Sequence, residues 1–139
     1  MLARIEKEEK NKMKTVQDII ELFKKEFNFL SDKFFIYNIP LAEAKDSKAE
    51  HIWKPGVYVF WQPARGVIKV GRHLTNSRKR AFEHIRDDTG GKMRILDSDP
   101  SARLLLFNVI NQDDFHWVAA LEIFFEVELK PEINSERLG

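Results

Sequence analysis

Two short runs of β-branched and aromatic residues, GVYVFW at 56–61 and VIKVG at 67–71, constrain the fold most. The segment between them, QPARG, contains the proline and the glycine that favour a turn. Two such runs joined by such a turn are typical of an antiparallel β-hairpin. The hairpin places a sheet in the middle of the chain, and the remaining elements must pack on it.

The segments before the hairpin predict one helix and one strand. Apolar residues recur at helical spacing in TVQDIIELFKKEFNFL, and Thr15 with Asp18 forms a capping-box pattern at its start. The run KFFIYNI predicts a strand that ends at Pro40. The first 14 residues form a charged lead-in that we expect to be frayed or to extend the helix.

The segments after the hairpin predict two helices with a strand between them. RKRAFEHIRDD is a helical pattern that Thr75, Asn76 or Ser77 can cap. RLLLFNVI is a candidate for a buried strand, and DDFHWVAALEIFFEVELK predicts a helix that ends before Pro131. We therefore predict an α+β fold with a small three-stranded, mostly antiparallel sheet flanked by helices. The predicted domain covers residues 51–139, and residues 1–50 form an N-terminal helical extension.

Composition excludes several classes of protein. No cysteine is present, so disulfides and thiolate metal sites are excluded, and a cytoplasmic location is the natural expectation. No apolar run approaches the roughly 18 residues of a membrane span, so we expect no membrane partner. The charged first residues lack the apolar core of a secretory signal.

Charge is unevenly distributed along the chain. Residues 65–86 contain seven Lys or Arg and one acid, whereas residues 103–139 contain three basic residues and seven acids. A concentrated positive segment in a nearly neutral protein can attract a polyanion such as DNA. The alternative is that the basic run is only the solvated face of a helix.

The last helix carries two carboxylates among apolar residues. Glu122 and Glu126 are one turn apart and form a narrow polar strip on a helix that is otherwise apolar nearly all round. A carboxylate on a mostly buried helix needs water, a partner or a metal ion. The alternative is that this strip is the solvent-facing edge of the helix.

Five short patterns follow one another along residues 55–134. They are Gly56-Val57-Tyr58 after Pro55, Lys69-Val70-Gly71, the pair Arg80 and His84, Glu122, and the pair Pro131 and Asn134. In this order and spacing they resemble the GIY-YIG nuclease superfamily, which is named for its two glycine-marked strands. The predicted order of strands and helices is also that of the family. The chain departs from the pattern at Lys69, where the second motif usually has tyrosine, and by one extra residue between Gly71 and Arg80.

The resemblance implies a metal-dependent endonuclease that hydrolyses DNA phosphodiester bonds. It implies that Glu122 holds one divalent ion, Mg²⁺ or Mn²⁺, and that Arg80 binds the scissile phosphate. Tyr58 would be the general base or would position the attacking water. Its pKa would be lowered by the ammonium of Lys69, and His84 would orient it or carry its proton. Asn134 would support the geometry of Glu122.

Further basic residues are expected to bind the DNA backbone, namely Arg72, Arg78, Lys79 and Arg86. A homodimer, or a second binding event, would be needed for one site to cut both strands. The three tryptophans, Trp53, Trp61 and Trp117, are interpreted as residues of the core or its edge.

Other interpretations of these residues remain open. Tyr58 can be an ordinary strand aromatic, His84 a surface histidine near a helix C-terminus, and Asn134 a turn residue. The main alternative function is a catalytically inactive module of the same fold that binds nucleic acid, which Lys69 would favour. A third is a domain that binds a protein partner through the first amphipathic helix, but this leaves the basic segment unexplained.

Overall fold

The computed structural model of the protein describes residues 14–134, so the charged lead-in lies almost wholly outside it. The strands are β1 (Phe34–Pro40), β2 (Gly56–Gln62), β3 (Gly66–His73) and β4 (Arg103–Val109). The helices are α1 (Val16–Glu26), the short α2 (Leu41–Ala44), α3 (Ser77–Arg86) and α4 (Phe115–Leu129). Short 3₁₀ helices occupy part of the connections.

The protein has an α+β fold, with a four-stranded antiparallel sheet flanked by helices. The strand order is β1-β4-β2-β3, and each neighbouring pair is antiparallel. The prediction of three strands was wrong, because the strand that ends at Pro40 joins the sheet instead of belonging to a helical extension. Its pairing runs from Phe34 opposite Val109 to Pro40 opposite Arg103. β4 is buried from Leu104 to Val109 and needs a backbone partner on each side, and β1 supplies the outer one.

Local sequence signals explain where the helices begin and end. Thr15 and Asp18 form the predicted capping box at the start of α1. The side chain of Asn76 accepts a hydrogen bond from the backbone N–H of Lys79 and caps α3. α4 ends at Leu129, and the next residue, Lys130, has a left-handed backbone conformation (φ 48°) directly before Pro131. Among residues 14–134, no helix combines the length and the apolarity that crossing a membrane requires.

The sheet separates two hydrophobic clusters. On one face, α1 and α4 pack against the sheet through residues such as Phe23, Phe107 and Phe125, whose rings are in contact. On the other face, α2 and α3 pack against Tyr58 and Phe60. The N-terminal residues from 16 onwards therefore contribute to both clusters of the core. Helices on both faces explain why all four central strand residues from Val57 to Phe60 are buried.

A buried asparagine ties the start of β2 to the rest of the fold. The side chain of Asn108 is fully buried and donates to the backbone carbonyls of His51 and Ile52. Its oxygen accepts a hydrogen bond of 2.5 Å from the hydroxyl of Ser77, the first residue of α3. Asn108 lies opposite Gly56, and a Cβ at Gly56 would lie 1.9 Å from its side-chain oxygen. Only glycine at this position leaves room for the asparagine.

We expect Gly56→Ala to lower the free energy of unfolding by about 3 kcal/mol, because the methyl group would clash with Asn108 and with the carbonyl of Phe107. Urea denaturation followed by circular dichroism measures this change. Gly91→Ala is the control, since no atom lies within 4 Å of its added Cβ and only the positive φ is penalised. That penalty is about 1 kcal/mol. Equal effects of the two substitutions would contradict the close approach at Gly56.

Candidate active site

The predicted catalytic residues meet in one pocket beside β3, an edge strand of the sheet. The pocket has a volume of about 440 Å³. It is lined by Tyr58 and Lys69 from the hairpin, Arg80 and His84 from α3, Glu122 from α4, and Asn134 from the segment that follows. Tertiary structure thus brings together residues that are up to 76 positions apart in the chain, from Tyr58 to Asn134.

Tyr58 and His84 form the innermost part of the pocket. The phenol oxygen of Tyr58 lies 2.8 Å from Nε2 of His84, and Nδ1 of His84 lies 2.7 Å from the hydroxyl of Thr89. Tyr58 is 2% exposed and His84 is 9% exposed, so the interpretation of His84 as a surface histidine was wrong. Thr89 was not predicted. It lies just beyond α3. The only sign in the sequence of a partner for His84 was a hydroxyl residue five positions later.

The second motif glycine allows Tyr58 to reach this position. Gly71 lies opposite Tyr58 in the hairpin, and a Cβ at Gly71 would lie 2.2 Å from the phenol oxygen. The tyrosine side chain therefore lies across the backbone of β3, and no other residue type leaves space for it. The two glycines of the hairpin have different neighbours, since Gly56 makes room for an asparagine and Gly71 for the tyrosine.

Lys69 lies on the same face of the hairpin as Tyr58. It pairs with Phe60, two residues from Tyr58, so the two side chains are diagonal neighbours, which long side chains can bridge. The register shifts between Phe60 and Trp61, and Ile68 has no counterpart in β2. Such bulges redirect neighbouring side chains and are frequent beside active sites. Lys69 is 6% exposed, and its ammonium is therefore held in a site of low solvent access.

Glu122 is buried, and the interpretation of its strip as the solvent-facing edge of the helix was wrong. Glu122 is 3% exposed and Glu126 is 7% exposed, whereas the apolar Ile123 and Val127 are about half exposed, at 48% and 57%. Nη1 of Arg72 lies 3.3 Å from Oε1 of Glu122. The role of Arg72 in binding the DNA backbone stays a prediction, and its guanidinium pairs with the carboxylate at the pocket. A charge on a helix that packs on the sheet requires such a partner.

Main-chain hydrogen bonds carry Asn134 to the pocket. After Pro131 the chain runs along the free edge of β3, where the N–H of Glu132 donates to the carbonyl of Val67. The N–H of Ile133 donates to the carbonyl of Ile68 at 2.8 Å, and Ile133 forms a parallel bridge with Lys69. The proline and the bridge thus explain why a glutamate on α4 and an asparagine 12 residues later line the same pocket.

The predicted basic residues of α3 divide between two faces of the helix. Arg80 lines the pocket with a side chain that is 34% exposed, and its guanidinium lies 3.9 Å from Glu83. Arg78, Lys79 and Arg86 do not line this pocket and instead border a second cleft. The structure therefore places one arginine of the Arg-Lys-Arg run at the candidate active site.

The oxygen donors at the pocket fit a magnesium ion. Glu122 supplies one carboxylate to the lining of the pocket and Asn134 an amide oxygen. Mg²⁺ prefers hard oxygen ligands, takes one or two carboxylates and keeps several waters. Within residues 14–134 there is no group of three or more His, Asp or Glu side chains that could enclose a metal ion. Glu122 is therefore the carboxylate that would hold such an ion.

No protein-family model matches the chain, and neither a curated protein nor a solved structure shows significant similarity to it. The resemblance to the GIY-YIG superfamily thus depends on the motif residues themselves.

The two tyrosines of the chain provide a matched test of the hydrogen bond to His84. We expect Tyr58→Phe to lower the free energy of unfolding by about 1–3 kcal/mol, because it leaves a buried imidazole nitrogen without its partner. Among residues 14–134 the buried hydroxyl of Tyr37 has no hydrogen-bond partner. Tyr37→Phe should leave stability unchanged or raise it by up to about 1 kcal/mol. Urea denaturation of both variants at pH 7 measures the two changes. If Tyr58→Phe left the free energy of unfolding as unchanged as Tyr37→Phe does, the hydrogen bond to His84 would be contradicted.

The control variant Tyr37→Phe should also change how stability depends on pH. Burial raises the pKa of Tyr37 above its ordinary value, and the carboxylate of Glu50 raises it further. Because the pKa of Tyr37 is higher in the folded than in the unfolded state, its neutral hydroxyl contributes to stability, and this contribution is fully present at neutral pH. It is lost as the pH rises through the folded-state pKa, above about 10. Tyr37→Phe should therefore reduce the loss of stability between pH 9 and pH 11.

Proposed function

We propose that this protein is a divalent-metal-dependent endonuclease of the GIY-YIG type that hydrolyses DNA phosphodiester bonds. The observation that supports the proposal is the convergence of the six motif residues on one pocket. Each of them could serve an ordinary structural purpose if taken alone. A set of this composition, drawn from five separate segments, matches what phosphodiester hydrolysis requires, namely a base, positive charge for the phosphate and a metal ligand.

Proton transfer would begin at the pair of Tyr58 and His84. If Nδ1–H of His84 donates to the hydroxyl of Thr89, Nε2 is free of a proton and can accept the one from the phenol of Tyr58. The phenolate can then take a proton from a water molecule that attacks phosphorus. As the acceptor of that hydrogen bond, Thr89 would be a positioning residue for the relay.

Positive charge around the relay would stabilise the phosphate and the phenolate. Lys69 lies on the same face as Tyr58, and its ammonium opposes the burial that disfavours the phenolate. Arg80 presents a partly exposed guanidinium, which can donate two parallel hydrogen bonds to phosphate oxygens. The phosphate would thus approach from the open side of the pocket, towards Arg80.

Glu122 would hold the metal ion, with Asn134 beside it. A bound Mg²⁺ supplies positive charge for the phosphoryl oxygens and the leaving 3′-oxygen. Arg72 neutralises the same carboxylate through Oε1. It would therefore hold the carboxylate of Glu122 in place when the ion is absent, and it would add positive charge close to the phosphate.

We expect cleavage of plasmid DNA with Mg²⁺ or Mn²⁺ and none in EDTA. Glu122→Gln should reduce the rate by about 10²-fold or more, because several kcal/mol of electrostatic stabilisation depend on the ion. DNA affinity in EDTA should stay equal or rise, since a negative charge is removed. Glu128→Gln on the exposed side of the same helix is the control and should cleave normally. Undiminished cleavage in chelator would rule out the one-metal mechanism.

Lys69 distinguishes an active enzyme from an inactive module of the same fold that binds nucleic acid. If lysine replaces the usual tyrosine functionally, Lys69→Met should slow cleavage and move the rising limb of the pH–rate profile to higher pH. Lys69→Tyr should then change the rate without creating activity. If the native protein is inactive and Lys69→Tyr produces cleavage, the native chain is a binding module. Gel assays of nicking across pH 6–10 separate these outcomes.

A further inference from the structure

A second basic cleft lies on the outer side of α3, on a different face from the candidate active site. It has a volume of about 500 Å³. Its charged lining consists of four cations, Lys45, Arg78, Lys79 and Arg86, and one carboxylate, Glu83. The cleft shares no lining residue with the candidate active site. The cleft and the candidate active site therefore lie on either side of α3.

One wall of the cleft comes from the loop after α2, which has no counterpart in the motif pattern. Arg78 donates a hydrogen bond from Nη1 to the carbonyl of Ser47. Its guanidinium also lies over the ring of Trp53, 5.4 Å from the ring centre. These contacts join the loop to α3 and place Lys45 opposite Lys79 and Arg86. The cleft is thus a feature of the tertiary structure and not only of the basic run in α3.

The cationic side chains at the cleft remain accessible to a ligand. Lys45, Lys79 and Arg86 are exposed. Within residues 14–134, neither lysine has an ion pair within 4 Å, whereas Arg86 pairs with Asp87. Trp53 is 48% exposed, although Trp61 and Trp117 are partly buried against the core as expected. An exposed tryptophan beside several cations is typical of surfaces that follow a nucleic-acid strand.

The dimensions of α3 relate the cleft to the candidate active site. Lys79 and Arg86 are seven residues apart, which is about 10 Å along a helix, and the helix is about 10 Å wide. α3 lies between the cleft and the pocket that contains Arg80, so the two sites are about one helix width apart.

We propose that this cleft binds the phosphodiester backbone of the DNA strand on one side of the cut, a few nucleotides from the scissile phosphate. The proposal rests on the proposed function for its position relative to the cut. Lys45 and Lys79 neutralise phosphates as mobile point charges, while Arg78 is held against Trp53 and shapes the wall. The contacts are to the backbone, so they position the substrate without reading its sequence.

The test compares two pairs of lysines in the full-length chain. Lys45→Ala with Lys79→Ala should weaken binding of a fluorescein-labelled 20-base-pair duplex about tenfold or more in EDTA, and should lower the slope of log K against log salt by about two. Lys24→Ala with Lys25→Ala, on the exposed end of α1, removes the same charge far from the cleft and should change little. Equal effects of both pairs, or no effect of the first, would overturn the proposal.

A second measurement locates the contact along the strand. Replacing single phosphates by neutral methylphosphonates should weaken binding most at one position within a few nucleotides of the cut, and this effect should vanish in the Lys45/Lys79 variant. A scan in which no single position weakened binding would contradict the proposed role of the cleft. The outcomes also separate the two proposals. If the protein bound DNA through the cleft but did not cleave it, the proposed endonuclease function would be rejected. If the native protein cleaved DNA and the Lys45/Lys79 variant bound it with unchanged affinity, only the proposed role of the cleft would be rejected.

Discussion

The phenol ring of Tyr58 lies against the backbone of Gly71, and the arrangement of the candidate active site depends on this close approach. Because Gly71 has no Cβ, the tyrosine crosses β3 and brings its oxygen within 2.8 Å of His84. The hydrogen bond in turn fixes which face of α3 points towards the hairpin. Arg80, one turn earlier on that helix, enters the same pocket as a consequence.

The charges around this centre are balanced in a way that the basic run in the sequence does not show. Arg72 is bound to Glu122, Arg78 is bound to the loop after α2, and Arg80 lines the candidate active site. Basic residues that are close together in the sequence thus have different partners in the folded protein. Burial accounts for the division, because an internal carboxylate needs a nearby guanidinium, whereas exposed lysines can remain in water.

The N-terminal part of the chain belongs to the architecture more closely than its place before the hairpin suggests. Its helix covers one face of the sheet, and its strand pairs along β4. Its loop supplies Lys45 and Trp53 near α3 and is anchored by the buried Asn108. Residues outside the motif pattern therefore support the hairpin and also form the wall of the second cleft.

Much of the local structure was predictable, because it depends on neighbours in the chain. The capping box at Thr15, the hairpin turn and the end of the last helix before Pro131 all follow from short-range signals. The motif spacing also predicted which side chains line the candidate active site. These features are encoded within a few residues, so pattern and propensity suffice to recognise them.

The sequence by itself determined the elements, their order and the list of candidate residues; only the tertiary structure decided how they combine. The strand at Phe34–Pro40 was visible in the sequence, but its place beside β4 depends on long-range backbone pairing. Likewise, periodicity placed Glu122 on a polar strip, and the packing of α4 against the sheet buried that strip and left Ile123 and Val127 outside. Arg72 and Thr89 acquired their partners for the same reason, since contacts between separate elements are set by packing in three dimensions and leave no period in the chain.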